Sequence, residues 1–473
     1  MTKNNTKFLL ILIVLLGLVL RVLFFSGVGV SDDLAYSKYA YNINKGIDPN
    51  SVLTLSTRIG ILYPTALSYY LFGVNDFSSI IFILLTAIGN IILAYFFGRL
   101  LGNKKIGLMA SFLMAIFPLD VLQSTQLFTD LPASFFLALG IYFFLCSEKN
   151  EKDKLNYFLS GVFIGIGYLI RESTILIALF FILYSIYKKK IKKEYFLVFV
   201  GFALLFGVEV FALYQLTNEP FFKFTKVQDY LLRSYIEHNY FNRLLFPSGL
   251  FHYPYMILTN QVILYFYMSI FIAITYIFLA KKRKMYILLL WFLPLLLYLS
   301  FGSSSFTKYL PFKAVPRYLS IITMPGILLL SFFLSEKGNV IKKIAKPLIL
   351  LILFITSLLI IYSYNGNPPV DNLKVLYPSI AYSKKTVYSD SRSKMVLEYL
   401  SGYKGKINLT EYPEKMNGLR DVYVIVNKPM MIALKESDPN LKFPDEIENP
   451  PNSWEKKKVL GNGKSNAVVY YVP

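Results

Sequence analysis

Two adjacent carboxylates stand just after the first apolar run of the chain. They are Asp32 and Asp33 in the stretch SDDLAY, residues 31–36. Ionisable groups at a membrane boundary are costly unless they face a polar cavity or a partner, and a carboxylate there can accept a proton from a hydroxyl group. Acids also favour a helix start, which Ser31 is expected to cap. We predict that one of the two acids has a function beyond the cap.

Arginines accompany other acids at the ends of the apolar runs. Arginine suits bidentate binding of phosphate at an interface better than lysine does. Acids and arginines on one side of a membrane therefore predict a cavity with acids for acid–base chemistry and cations for an anionic head group. The residues predicted to contribute are Arg58, Asp130, Arg171, Glu172 and Arg317.

Each of these five residues also has a purely structural interpretation, which stays open. Arg58 can anchor the chain beside lipid head groups, and Asp130 can belong to the first turn of a helix. Arg171 and Glu172 can neutralise each other at a break between short helices. Arg317 can be a flanking charge before an apolar helix.

The composition is that of a polytopic membrane protein. Hydrophobic residues make up 55% of the 473 residues, and the mean hydropathy is +0.51. The net charge of +21 comes mainly from Lys and Arg in short loops between apolar runs, where they act as orientation signals. A nucleic-acid partner is therefore rejected. Because Cys146 is the only cysteine, an intramolecular disulfide framework and a Cys-rich metal site are excluded.

Apolar runs predict eleven membrane spans, with the N-terminus in the cytoplasm and the C-terminus outside. The run 58–73 is expected to lie along the outer interface, because counting it as a span would reverse the orientation of the basic loops after it. The predicted spans are 8–30, 78–101, 106–122, 130–147, 157–170, 173–187, 195–217, 255–280, 285–300, 316–335 and 347–364.

The same topology places the longer polar segments outside the cytoplasm. Residues 31–77 and 218–254 form the long outer loops of a transmembrane catalytic domain, 1–364, and the tail 365–473 follows it. The tail mixes strand-like runs such as RDVYVIVNK with a helical SRSKMVLEYLSGY, so we predict a small α/β domain there. The predicted fold is an all-α polytopic membrane domain with an extracytoplasmic α/β domain.

These motifs, in this order, resemble the GT-C class of polytopic glycosyltransferases over about residues 8–335. They resemble in particular the dolichyl-phosphate-mannose protein mannosyltransferases and the lipid A aminoarabinose transferases. SDDLAY resembles the acidic motif after their first span, and Asp33 stands where the family usually has Glu. The segments TRIGILYPTALSYYLFG, PLDVLQSTQLFTDLPASFF, SGVFIGIGYLIRESTILIAL and PRYLSIITMP resemble later family segments.

The resemblance implies a role for each matching residue. Asp32 corresponds to the catalytic base, and Asp33 is assigned to the catalytic pair with it. The carrier phosphate is expected to bind Arg58 first, with Arg171 and Arg317 behind it. The residues predicted to bind the donor or acceptor sugar are Asp130, Glu172 and Tyr36.

The implied activity is an inverting transfer of a sugar from a polyprenyl monophosphate, dolichyl or undecaprenyl, to an acceptor hydroxyl. The reaction would take place on the outer face of the cytoplasmic membrane, among membrane lipids, with a protein, lipid or glycan as acceptor. No cofactor is assigned and no residue is assigned to a metal, while a divalent cation stays open. The alternatives are an oligosaccharyltransferase or ligase with a lipid-diphosphate donor, a transporter or flippase of lipid-linked sugars, and a non-catalytic scaffold.

Overall fold

The computed structural model describes residues 3–46, 57–150, 153–226, 248–303, 309, 311–336, 340–405 and 407–473. Most of the predicted loop 218–254 lies outside the described residues, including the aromatic and basic stretch 227–247. The chain divides into two compact units. The membrane unit comprises Met1–Phe25, Asp48–Pro64 and Ile81–Asn365, and the α/β unit comprises Ser26–Ile47, Thr65–Ile80 and Gly366–Pro473.

Helices make up the first part of the chain, and most of them are apolar, as the hydrophobic runs predict. Before residue 218 they are α1 Lys3–Leu23, α2 Asp32–Lys45, α3 Ile59–Phe72, α4 Asp76–Leu101, α5 Lys104–Ile116, α6 Pro118–Gln123, α7 Asp130–Lys149, α8 Lys154–Ile170, α9 Ala178–Lys188 and α10 Tyr195–Thr217. After residue 247 they are α11 His252–Thr259, α12 Gln261–Leu279, α13 Tyr286–Phe301, α14 Ser320–Ser335 and α15 Val340–Ser363.

Eight helices in the described part of the chain are long and apolar enough to cross a membrane. They coincide with eight of the eleven predicted spans. The other three predicted spans correspond to α5, α8 and α9, which are helical but have only 13, 17 and 11 residues. The predicted interfacial run 58–73 forms α3, whose 14 residues are too few to cross about 30 Å of hydrocarbon.

The core of the membrane unit is built around α14. This helix has 78% of its most apolar window buried, whereas α1 and α10 have 22% and 17% and therefore present apolar faces outward. Close packing of α8 on α10 depends on glycine: a Cβ at Gly161 would lie 2.0 Å from the backbone oxygen of Val198. Small residues at such crossings let two helix backbones approach closely.

The α/β unit contains a five-stranded sheet in its described residues. The strands are β1 Val387–Ser389, β2 Leu409–Glu411, β3 Val422–Asn427, β4 Glu455–Leu460 and β5 Ala467–Val472, and their order is β2-β1-β3-β5-β4. The first three strands are mutually parallel, while β5 runs antiparallel to β3 and β4. The predicted α/β character of the tail is confirmed.

Both faces of this sheet are covered, which its apolar strands require. Along β3, Ile425 packs into one hydrophobic cluster, and Val424 and Val426 pack into another on the opposite face. The helices of this part are α16 Pro368–Leu376, α17 Ser391–Leu400, α18 Lys428–Ser437 and α19 Asp445–Glu448. The first cluster also includes Val28 and Leu34, so the segment after α1 belongs to the core of this unit.

Asp76 holds three segments of the α/β unit together. Its Oδ1 accepts hydrogen bonds from the amide of Val28 at 3.2 Å and from the hydroxyl of Tyr399 at 2.9 Å. Its Oδ2 lies 2.6 Å from the ammonium of Lys374. From the sequence, residues 31–77 were predicted to be a loop of the transmembrane domain. In the structure, Ser26–Ile47 and Thr65–Ile80 belong to the same compact unit as the tail.

Candidate active site

Five predicted residues of the membrane unit stand at helix ends. Arg58 comes directly before α3, Asp130 begins α7, and Arg171 and Glu172 follow the end of α8. Arg317 lies in the short 3-10 turn Pro316–Leu319 that leads into α14. The structure brings all five together through ion pairs, and we call them the arginine cluster.

Arg58 is held by Glu172. Its Nη2 and Nε donate to the two carboxylate oxygens at 2.7 and 3.3 Å, which is the bidentate geometry that guanidinium groups favour. Gly60 makes this pairing possible, because a Cβ at position 60 would lie 2.7 Å from the backbone nitrogen of Ile170. The start of α3 can therefore touch the end of α8, where Glu172 follows.

Asp130 links the other two arginines. One carboxylate oxygen accepts a hydrogen bond from Arg171, and the other lies 3.7 Å from Nε of Arg317. Arg171 also donates to the hydroxyls of Ser173 at 3.2 Å and Thr129 at 3.4 Å. With only 2% of its surface exposed, Asp130 positions cations in this structure. Its predicted sugar contact stays a prediction.

Aromatic rings stack on the guanidinium groups of Arg171 and Arg317. The ring centre of Tyr318 lies 4.4 Å from Cζ of Arg171, and the ring centre of Phe128 lies 4.5 Å from Cζ of Arg317. Stacking of this kind restricts the orientation of a guanidinium group. The sequence did not single out these rings, although each stands next to or near a predicted charge.

A buried ion pair next to the cluster also escaped prediction. Lys223 and Glu209 are 2.7 Å apart, and each side chain is 2% exposed. Glu209 lies within the apolar helix α10, and its cationic partner comes from beyond the end of that helix. The ammonium of Lys223 also lies 4.4 Å from the ring centre of Tyr168.

The charges around Glu172 determine its protonation. Burial alone would raise the pKa of this carboxyl group, but Arg58, Lys223 and Arg171 together lower it below its ordinary value of 4.5. For Arg171, burial favours the neutral form, but Asp130, Tyr318 and Glu172 together raise the pKa above its ordinary value. Both groups therefore stay charged at neutral pH. Among the described residues, the cluster with Lys223 and Glu209 has four cations and three carboxylates.

The acidic pair lies in the α/β unit, at the start of α2. Asp33 is 1% exposed, and its carboxylate accepts the amides of Gly29, Ser31 at 2.8 Å and Leu34 at 3.1 Å. The prediction that the Ser31 side chain caps α2 is wrong, because this side chain makes no capping hydrogen bond in the part of the chain that the structure describes. The carboxylate of Asp33 accepts hydrogen bonds from the amides of this turn instead. Burial raises the pKa of Asp33 despite these bonds, and the charge of Asp32 adds to the rise.

Asp32 and Tyr36 differ in accessibility. Asp32 is half-buried, so it can meet a substrate, whereas Tyr36 is 1% exposed and packs inside the unit. Asp32 is therefore the more accessible member of the acidic pair, and its predicted catalytic role stays a prediction. Among the described residues, no three His, Cys, Asp or Glu side chains are placed to hold a metal ion.

The family model described as dolichyl-phosphate-mannose-protein mannosyltransferase matches residues 59–214. This segment contains Asp130, Arg171 and Glu172 of the arginine cluster. Among curated proteins, none matches the sequence.

Solved structures share the architecture at low sequence identity. An oligosaccharyltransferase of Archaeoglobus fulgidus, tethered to an acceptor peptide with an NVT sequon, matches with a TM-score of 0.58 and 14% identity over 100% of this chain and 75% of that one. ArnT of Cupriavidus metallidurans bound to undecaprenyl phosphate matches with a TM-score of 0.55 and 11% identity over 97% of each chain. The fold is that of the GT-C glycosyltransferases. The predicted resemblance is thereby confirmed.

A second complex shows the same relationship. The archaeal oligosaccharyltransferase AglB from Archaeoglobus fulgidus, with an inhibitory peptide and a dolichol-phosphate, matches with a TM-score of 0.56 and 13% identity over 91% of this chain and 70% of that one. Together with the apolar helices, the GT-C fold indicates a multi-pass membrane protein.

Proposed function

We propose that this chain is an inverting glycosyltransferase that moves a sugar from a polyprenyl monophosphate to an acceptor hydroxyl at the outer face of the cytoplasmic membrane. The observation that carries the proposal is the arginine cluster. Arg58, Arg171 and Arg317 are gathered by two carboxylates, so the group has a net positive charge. Such a site suits a phosphate at the membrane boundary.

In the proposed reaction, Asp32 acts on the acceptor hydroxyl and the arginine cluster acts on the donor phosphate. Asp32 accepts the proton of the acceptor hydroxyl, whose oxygen forms a bond to the anomeric carbon of the sugar. The bond between that carbon and the phosphate oxygen breaks on the opposite face, so the configuration inverts. The electron pair leaves with the polyprenyl phosphate, and the guanidinium groups stabilise the charge that develops there.

Acidic partners keep the arginines in place for this step. Glu172 holds Arg58 by two hydrogen bonds, and Asp130 holds Arg171 and Arg317. Groups that are oriented before the reaction stabilise developing charge without reorganising. Asp130 and Glu172 therefore act as positioning residues in the proposal, and any direct contact with a sugar is secondary.

Two complexes of similar proteins support a lipid-phosphate donor. ArnT binds undecaprenyl phosphate in one structure, and AglB binds a dolichol-phosphate in another. The oligosaccharyltransferase tethered to an acceptor peptide also favours a second candidate, which is transfer from a lipid diphosphate to a protein. Both candidates place an anionic lipid head group at the arginine cluster.

A transfer assay in nanodiscs tests the proposal. Labelled sugars on a polyprenyl monophosphate and on a polyprenyl diphosphate are offered in parallel, with host membranes as acceptors and with or without EDTA. We expect monophosphate-dependent transfer that EDTA leaves unchanged, and a loss of about 10²- to 10⁴-fold in kcat for Asp32→Asn. The matched control is Glu398→Gln, an exposed carboxylate that pairs with Lys38 at 3.8 Å.

Other outcomes separate the alternatives. Full transfer by Asp32→Asn would remove the general base from the mechanism. Transfer only from the diphosphate, abolished by EDTA, would establish the oligosaccharyltransferase. Carrier binding without transfer by the unaltered chain would favour a transporter.

A further inference from the structure

A cavity of about 410 Å³ lies in the α/β unit, within the range of about 300–1,000 Å³ that is typical of small-molecule sites. Its walls come from the segments that follow β1, β2 and β3. Asp390 follows β1, Glu411 ends β2, and Phe443 lies in the loop after α18. None of the roles proposed above uses this cavity.

The topology of the sheet places this cavity where α/β folds bind ligands. The chain runs from β1 to β2 on one side and then crosses to β3 on the other side of β1. Because all three strands are parallel, their carboxyl ends meet at one edge. A crevice opens at such a switch point, where neighbouring connections lead in opposite directions.

Asp390 has an unsatisfied oxygen at this switch point. Its Oδ1 caps α17 by accepting the amide of Ser393 at 2.8 Å. Its Oδ2 has no hydrogen-bond partner among the described residues, although the side chain is only 3% exposed and lines the cavity. A buried acceptor without a partner costs about 1–3 kcal/mol, so a ligand that donates a hydrogen bond would be favoured here.

The remaining walls combine acids with rings. Glu411 and Glu414 accompany Asp390, and Lys442 is the one cation among the described lining residues. Tyr412 and Phe443 add two rings whose centres are 6.5 Å apart at an angle of 80°. The hydroxyl of Tyr412 donates to the backbone oxygen of Ile425, which fixes its ring against the sheet.

We propose that this cavity binds a saccharide, neutral or amine-bearing, through its hydroxyl groups. Carboxylates accept hydrogen bonds from hydroxyls, and the two rings offer apolar surface to the C–H face of a sugar. The excess of acids disfavours a phosphorylated or carboxylated ligand. The acids also do not converge on one point, since no three described acidic, His or Cys side chains are placed to hold a metal ion.

Equilibrium dialysis tests the proposal on the full chain in nanodiscs. The probes are labelled N-acetylglucosamine, glucosamine, mannose and mannose 6-phosphate. We expect at least one unphosphorylated sugar to bind, with mannose 6-phosphate bound more weakly than mannose. Asp390→Asn should weaken binding about 10- to 100-fold, the effect of a hydrogen bond to a charged group, and it keeps the helix cap because Asn caps as well as Asp.

Two further variants keep the test informative. Glu414→Gln changes an exposed wall residue and should weaken binding severalfold, while Glu455→Gln, on β4 and outside the cavity lining, should leave it unchanged. Arg58→Gln should also retain binding, because the cavity is distinct from the arginine cluster.

Several results would overturn the saccharide proposal. One is that no sugar binds the unaltered chain. Others are equal binding by Asp390→Asn and the unaltered chain, mannose 6-phosphate bound as well as mannose, and loss of binding with Arg58→Gln. Binding of a lysine-rich peptide in place of every sugar would assign the cavity to a basic peptide instead.

Discussion

Buried charges are satisfied differently in the two units. In the membrane unit, a side chain of opposite sign faces each carboxylate of the site: Arg58 faces Glu172, and Lys223 faces Glu209. In the α/β unit, carboxylates accept backbone amides: Asp33 takes three and Asp390 takes one from Ser393. Asp76 combines the two modes, because it bonds an amide, a tyrosine and a lysine.

The difference has a chemical consequence. Amides that bond a carboxylate fix the backbone of a turn and leave the negative charge in place. A carboxylate that pairs with cationic side chains orients those side chains. Where the cations outnumber the carboxylates, the site can also bind an anion. The membrane unit therefore suits an anionic substrate group, whereas the α/β unit suits hydrogen-bond donors. Four substitutions examine this contrast, and all use equilibrium unfolding in detergent as the main measurement.

The largest effect is expected for Lys223→Met. It leaves Glu209 buried without its cation, and breaking such a pair costs about 3–5 kcal/mol. The double variant Glu209→Leu with Lys223→Met removes both charges and should recover most of the loss. Equal unfolding free energies for the single variant and the unaltered chain would show that the pair is hydrated.

Asp76→Asn should cost about 2–3 kcal/mol. The variant loses the ion pair with Lys374 and weakens the bonds from Val28 and Tyr399, and hydrogen bonds to charged groups contribute about 1.5–3 kcal/mol each. Asp371→Asn is a matched control, because it also alters an acid that accepts a backbone amide, from Asn367. A smaller loss for Asp76→Asn than for this control would contradict its linking role.

Glu172→Gln should cost about 1–2 kcal/mol at neutral pH and should change the dependence of stability on pH. Because the folded state lowers the pKa of Glu172, the ion pair stabilises the chain above the ordinary value of 4.5 and this contribution is lost as the pH falls through the folded pKa. Unfolding curves between neutral and acidic pH should therefore converge for the variant and the unaltered chain. A constant difference across the series would assign the effect to packing.

The smallest effect is expected for Glu448→Gln. Lys435 and Glu448 are 2.6 Å apart, but their side chains are 45% and 41% exposed. Exposed ion pairs contribute about 0–1 kcal/mol, so we expect a loss below about 0.5 kcal/mol that disappears in high salt. A loss as large as that of Glu172→Gln would mean that exposure does not govern these pairs.

Hydropathy and charge placement predicted most of the helical architecture. Apolar runs depend on local composition, so α4, α7 and α10 could be located from sequence. The lengths of α5, α8 and α9 depend on where packing ends a helix, which composition does not encode. The apolar, largely buried strands β3 and β5 were also predictable. The polar edge strand β4, with the run EKKKVL, gives no such signal because charged residues protect sheet edges.

Residue type predicted which charged residues could form a site, but not how they pair. Arginines at span ends favoured a phosphate site, which stays a prediction, and their ion pairs with two acids are what the structure adds. The pairing of Glu209 with Lys223 could not be read from the sequence, because Lys223 lies beyond the end of α10. The hydrogen bonds of Asp33 could be found only from the structure. In sequence, a carboxylate that accepts hydrogen bonds from backbone amides looks the same as a catalytic one.

The α/β unit is interleaved with the membrane unit along the chain. Its core takes Val28 and Leu34 from the segment after α1 as well as residues of the tail, and its division from the membrane unit falls within α3 and α4. Residues 366–473 on their own lack part of this core. A chain that exchanged the tail alone would therefore leave Val28 and Leu34 without their native packing partners.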